Sequence, residues 1–188
     1  MEKEHLGVAI IGCGLIGRKR ANALGNARLV CCADIDKQRA QNLAGFYANA
    51  RSTDDWREAI QRPEVGIVIA ATPNDMLPVI ALEAVKLGKH VLVEKPAARH
   101  SSELDEVIST ANKTGALVRV GFNHRYHPSL QKAKQLVDSG VCGELMFMRG
   151  RYGHGGRLGY EQEWRADPRV SGGGEQLDQG VHLIDLSR

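Results

Sequence analysis

The sequence predicts an α/β fold: a doubly wound parallel sheet over residues 1–122, followed by the start of an α+β unit over residues 123–188. Three observations predict it. Short apolar runs alternate with helix-patterned segments as far as Phe122, the pattern of a parallel sheet covered on both faces. The first run feeds a glycine-rich turn, GCGLIG, and the second ends in an acid, Asp34. Right-handed crossovers then wind the chain to both sides of its first strand.

The runs GVAIIG (7–12), ARLVCCAD (27–34), GIVIAAT (66–72), HVLVE (90–94) and ALVRVGFN (116–123) read as strands. Between them, residues 15–25, 36–48, 52–61, 76–88 and 101–115 read as helices. Thr53 offers an N-cap to the third helix, and Ser102 and Asp105 stand at capping-box spacing ahead of the fifth. Gly88 closes the fourth. Beyond residue 123, HPSLQKAKQLVDSG (127–140) is helical and stops at Gly140, and ELMFMRGRYG (144–153) alternates like a strand. Residues 154–174 are glycine-rich and irregular, and residues 175–188 read as a helix interrupted at Gly180. One strand cannot make a sheet, so the second unit reads as incomplete.

The chain has 188 residues, 43% hydrophobic and 25% charged, the balance of an ordinary globular protein. A net charge of +3 is too small to argue for a nucleic-acid partner. No run approaches the roughly 18 apolar residues of a membrane span. The N-terminus lacks the basic, apolar, small-residue order of a signal peptide. Cys13, Cys31, Cys32 and Cys142 fit neither zinc-site nor disulfide spacing. A reducing cytoplasm and no bound metal are the expectations.

Chemistry gathers at the ends of the strands. Gly12, Gly14 and Gly17 form G-x-G-x-x-G between a strand and a helix. The first allows the tight turn, the second lets backbone approach a pyrophosphate, and the third lets helix pack on strand. Leu15 and Ile16 open the helix whose N-terminus faces the phosphates. Asp34, 22 residues beyond Gly12, suits the ribose hydroxyls of a dinucleotide. A carboxylate there repels a 2′-phosphate, so NAD is expected over NADP, although Lys37 and Arg39 leave room for NADP. Thr72, Pro73 and Asn74 follow the strand at 66–72, and either Asn74 or Asp75 equally suits a helix cap. Glu94 and Lys95 follow the strand at 90–94, and Pro96 holds the Lys95 backbone extended. In a doubly wound sheet the ligand lies outside the carboxyl ends of the strands, so all these segments outline one cleft. Asp178 and His182, four residues apart, share a helix face. They are either a local helix pair or a proton-transfer pair.

GCGLIG, ATPN, GKHVLVEKP and GGGEQLDQGVHLIDL occur in an order that resembles the glucose–fructose oxidoreductase / inositol dehydrogenase / rhizopine-catabolism (Gfo/Idh/MocA) family, from Val8 to Arg188. The resemblance implies a Rossmann domain over 1–122 and a catalytic domain that begins at 123, built on a large open β-sheet that is expected to be mostly missing. It implies an NAD-dependent dehydrogenase acting on a secondary alcohol of a sugar, cyclitol or nucleotide sugar. Lys95, Asp178 and His182 match the family's catalytic positions. His182 would be the acid/base, Lys95 would polarise the hydroxyl, and Asp178 would hold substrate or orient His182. Asn123 and Arg125, in FNHRYHP, are weaker substrate-side matches. His124 and His127 read as structural or surface residues. Leu77 stands where many members carry a histidine.

Members of the family run to nearly twice this length and are often homo-oligomers, so a fragment or early-terminated product is also expected. An NAD-assisted glycoside hydrolase, an NAD-binding regulator and a chain that binds NAD without turnover are the alternatives. Arg149, Arg151, Arg157, Arg165 and Arg169 form a basic group that either binds an anionic substrate or is solvated.

Overall fold

A computed structural model describes residues 6–153 and 158–188. Six parallel strands form one sheet in the order β3-β2-β1-β4-β5-β6. The strands are β1 (Gly7–Ile11), β2 (Arg28–Ala33), β3 (Arg51–Thr53), β4 (Val65–Ala70), β5 (His90–Val93) and β6 (Val118–Val120). The helices α1 (Leu15–Ala21), α2 (Lys37–Ala44), α3 (Trp56–Gln61), α4 (Leu77–Lys86) and α5 (Asp105–Thr114) make the crossovers. The chain steps outward from β1 to β3, then crosses back to β4 on the other side of β1. This reversal opens a crevice between β1 and β4.

The apolar runs are continuous because both faces of the sheet are buried. Ala9, Ile11, Val68, Ala70, Val91 and Val93 pack against Ile60 of α3, Ile80, Ala81 and Ala84 of α4, and Val107 of α5. Val8, Ile10, Cys32 and Ile69 point the other way, toward Ala21 of α1 and Ala40 and Leu43 of α2. Alternate residues of one strand thus enter different cores.

Several local expectations change. β3 is three residues long, too short to carry a periodic signal, and it takes Thr53 out of the helix. Asp55 caps α3 instead, accepting the Arg57 N–H at 2.8 Å. Ser102 and Asp105 do not form the cap of the fifth helix. A 3₁₀ turn at Ser101–Leu104 precedes α5, and Glu103 accepts the backbone N–H groups of Arg99 and His100 at 2.8 and 3.2 Å.

Beyond the sheet, a 3₁₀ turn at Asn123–Tyr126 leads into α6 (Pro128–Asp138). The strand expected at 144–153 is absent: those residues are irregular and largely exposed, Phe147 included. A strand exists by its ladder, and no described segment pairs with this one. Two 3₁₀ turns and α7 (Pro168–Ser171) follow. A π-helical turn at Gln176–Gly180 runs into α8 (Val181–Leu186). No helix of the described residues is long and apolar enough to cross a membrane.

The core makes a stability prediction. Ile80 is fully buried, and Ile80→Ala should cost about 2–5 kcal/mol of unfolding free energy in urea titrations. Phe46→Ala, at an exposed position, should change it by less than about 0.5 kcal/mol.

Candidate active site

Each site segment that follows a strand starts on the last rung of a ladder. Gly12 N–H donates to the Ala33 carbonyl at 2.8 Å, Ala71 to Ile11 at 2.7 Å, Glu94 to Ala70 at 2.9 Å and Gly121 to Val93 at 2.8 Å. Because the strands are parallel, the segments that follow leave from one edge of the sheet. The crevice between β1 and β4 runs through them.

The glycine turn has the form a dinucleotide needs. Gly12 adopts φ +93°, and a Cβ there would lie 2.4 Å from the Ala71 carbonyl oxygen. A Cβ on Gly17 would lie 1.9 Å from the Gly12 carbonyl oxygen, so only glycine lets α1 pack this closely on β1. A Cβ on Gly14 would meet no atom within 4 Å, which leaves the space above the turn open to a ligand. Gly14 caps α1 without a side chain. Leu15 is exposed and Ile16 half-buried beside it.

Asp34 is bound to this turn. Its Oδ2 accepts the Cys13 N–H at 2.7 Å and its Oδ1 accepts the Asp36 N–H at 2.9 Å. Each carboxylate oxygen keeps a further acceptor site, a geometry that fits a ribose diol. Lys37 lies 4.0 Å from Asp54 and Arg39 lies 3.2 Å from Asp36, so both cations already face carboxylates. Thr72 and Pro73 are half-buried on the same rim. Asn74 is buried, and its Nδ2 donates to the Ser171 carbonyl at 2.9 Å, tying this turn to α7. Glu94 is buried and takes the Arg20 Nε at 2.5 Å, while Arg20 Nη2 reaches the Gly121 carbonyl at 3.5 Å. That carboxylate is thereby neutralised from α1. Leu77 is wholly buried and packs in the core.

The Lys95–Pro96 peptide is cis. Lys95 Nζ donates to the Asp178 carbonyl at 2.6 Å and to Asp178 Oδ1 at 2.5 Å. One ammonium N–H remains for another acceptor. Asp178 Oδ2 also accepts from Gln179 at 3.2 Å and lies 3.4 Å from Arg165 Nε. Burial opposes its charge, but Lys95 and Arg165 outweigh burial and hold the carboxyl below its ordinary range.

His182 is buried at 5% exposure, with an unpartnered Nδ1 among the described residues. Its ring stacks on His124 with centroids 3.9 Å apart. Burial, then the neighbouring His124 and Lys95, push its pKa from 6.5 to about 4. The ring is therefore neutral near pH 7, with its lone pair free. Among the described residues Asp178 does not hydrogen-bond His182. The backbone of 176–180 takes the wider π turn, so the four-residue spacing loses its ordinary α-helical meaning.

Asn123 is exposed. Arg125 is engaged with the buried Asp185 of α8: Nε donates to Oδ2 at 2.7 Å and Nη2 bonds Oδ1. Of the arginine group, Arg165 pairs with Glu163 and Asp178 and Arg169 with Asp167, whereas Arg157 lies outside the described residues. Sequence reasoning missed Arg20, His124, Tyr152 and Asp185. Each acts on a residue far along the chain, so no local pattern marks it. The four cysteines are free thiols, three of them buried.

Comparison with known proteins places this geometry. Residues 6–122 match the oxidoreductase family with an NAD-binding Rossmann fold, and residues 130–188 match the GFO/IDH/MocA C-terminal domain. The chain is similar to a levoglucosan dehydrogenase of Pseudarthrobacter phenanthrenivorans, 29% identical over 98% of this chain and 51% of the relative. It is similar to inositol 2-dehydrogenase 2 of Saccharopolyspora erythraea, 31% identical over 97% of this chain and 53% of the relative. A levoglucosan dehydrogenase solved with NADH and levoglucosan superposes with a TM-score of 0.91 at 28% identity, over 98% of this chain and 53% of that one. The chain spans about half the length of the relatives it matches.

Two measurements test the site. Asp34→Ala should weaken NAD binding by about 10- to 100-fold in calorimetric titration, the loss of one or two hydrogen bonds to a charged group. Unchanged affinity would remove Asp34 from the ribose site. Folding stability should also fall as pH drops from 6.5 toward about 4. In that window the unfolded chain takes up a proton that buried His182 refuses, so the unfolded state gains. His182→Gln should flatten that part of the pH–stability curve.

Proposed function

Because the chain belongs to the Gfo/Idh/MocA oxidoreductase family, we propose that the whole protein oxidises a secondary alcohol of a sugar, cyclitol or nucleotide sugar with NAD. The observation that carries this reading is the meeting of Lys95 with Asp178 beside buried His182, at the strand ends that form the dinucleotide crevice. Two separate stretches of sequence supply one donor and one base.

We assign the roles as follows. The free N–H of Lys95 donates to the substrate hydroxyl oxygen, and its charge stabilises the alkoxide that develops there. Asp178 fixes the lysine head by accepting two of its bonds. Neutral His182 takes the hydroxyl proton. Gly12, Gly14, Gly17 and Asp34 would hold NAD, which would supply the hydride acceptor. The donor set fits that group: an open glycine turn and a carboxylate with spare acceptor sites, with Lys37 and Arg39 facing Asp54 and Asp36. Residues 1–122 are the cofactor domain in this proposal, and residues 123–188 begin the catalytic one.

The test is NADH formation at 340 nm with NAD and a panel containing levoglucosan and inositols. Lys95→Ala should lower kcat by about 10²–10³-fold, the cost of losing one preorganised donor, with NAD affinity within about threefold of the parent. Equal turnover in mutant and parent would sink the role of Lys95. Sugar cleavage with retained cofactor and no net NADH would replace the dehydrogenase reading with transient oxidation and elimination.

A further inference from the structure

His182 poses a physical problem. An imidazole has a broad torsion about its Cβ–Cγ bond, and catalytic histidines are normally oriented by a hydrogen bond at the second ring nitrogen. Here Nδ1 is buried and unpartnered among the described residues, and Asp178 is committed to Lys95, Gln179 and Arg165. Something else must set the plane of the ring.

Aromatic packing can do so. His124 lies face to face with His182, centroids 3.9 Å apart and planes 24° apart. Phe122 and Tyr152 close two further sides edge-on, at 6.2 and 6.0 Å. His124 is itself held, with Tyr152 edge-on at 5.2 Å and the Tyr152 hydroxyl 3.5 Å from Nε2. The backbones under the two histidines are clamped together. Arg125 follows His124, Asp185 lies three residues after His182, and these two form the bidentate ion pair. The clamp joins the two turns that carry the stacked rings.

We propose that His124 is a positioning residue for His182, its stacked imidazole fixing the plane in which His182 meets the substrate. The inference rests on the reading of His182 as acid/base. A second effect follows from the same contact. Burial is the main reason the His182 pKa is low; His124 and Lys95 lower it further, while Asp178 and Asp185 oppose them. Tyr152 and Phe122 add no charge. His124 therefore helps keep His182 free to accept a proton while it holds the ring.

The experiment compares His124→Ala with His124→Phe, which keeps a flat ring and removes its ionisable nitrogens. His182 is followed by NMR titration of its imidazole, assigned with His182→Gln, and the pH profile of kcat/KM is measured in parallel. In His124→Ala the His182 pKa should rise toward 6.5, the acid limb of the profile should move up with it, and kcat should fall about 10²-fold at unchanged KM for NAD. His124→Phe should restore most of kcat while the acid limb stays raised. An unchanged His182 titration and line shape in both variants would overturn the proposal. So would a well-folded His124→Phe no better than His124→Ala. A moved titration with an unmoved kcat/KM profile would instead uphold the contact and remove His182 as the acid/base.

Discussion

Parallel pairing is the constraint on which the rest of the molecule depends. All six strands point one way, so every strand must be followed by a crossover and both faces of the sheet must be buried. Buried faces require the continuous apolar runs. Crossovers require the helices. The one polar edge that remains collects the glycine turn, Asp34, the 72–74 turn, Glu94–Lys95 and Asn123. A cleft for a charged dinucleotide is thus a consequence of strand direction as much as of the particular residues that line it.

The second constraint is the contact of Lys95 with Asp178. It joins residues 83 apart in sequence and fixes how the C-terminal segment lies on the sheet edge. Asn74 with Ser171 and Arg99 with the Arg169 carbonyl, at 2.9 and 2.6 Å, add further ties to the same face. Charge is managed locally at each point. Glu94 meets Arg20, Asp178 meets Lys95 and Arg165, and Asp185 meets Arg125. Burying a carboxylate without such a partner would force it to protonate. Among the described residues His182 has no such partner, and it stays neutral.

Where sequence-based expectation and structure differ, the competing force is identifiable. Thr53 is a good cap by type, but the β2–β3 ladder takes it as a strand residue and leaves Asp55 to cap. The alternating run 144–153 has strand character and no partner strand among the described residues. Asp178 and His182 share helical spacing, yet the lysine and arginine draw the aspartate one way and aromatic packing turns the histidine another. Asn74 and Glu94 were legible as rim residues; that their polar groups serve Ser171 and Arg20 was not.

The sequence by itself determined five of the six strands, their parallel direction, the glycine turn, the acid that follows it and the lysine at the strand end. These rest on interactions between near neighbours: the period of apolar residues, the conformational freedom of Gly12 and the small volume of Gly17. Tertiary structure alone decided which charges meet. The pairings of Lys95 with Asp178, Arg20 with Glu94, Arg125 with Asp185 and His124 with His182 span about 60–80 residues of chain. No local rule records such distances, because the energy of each pair depends on burial and on a geometry that exists only after the sheet has closed.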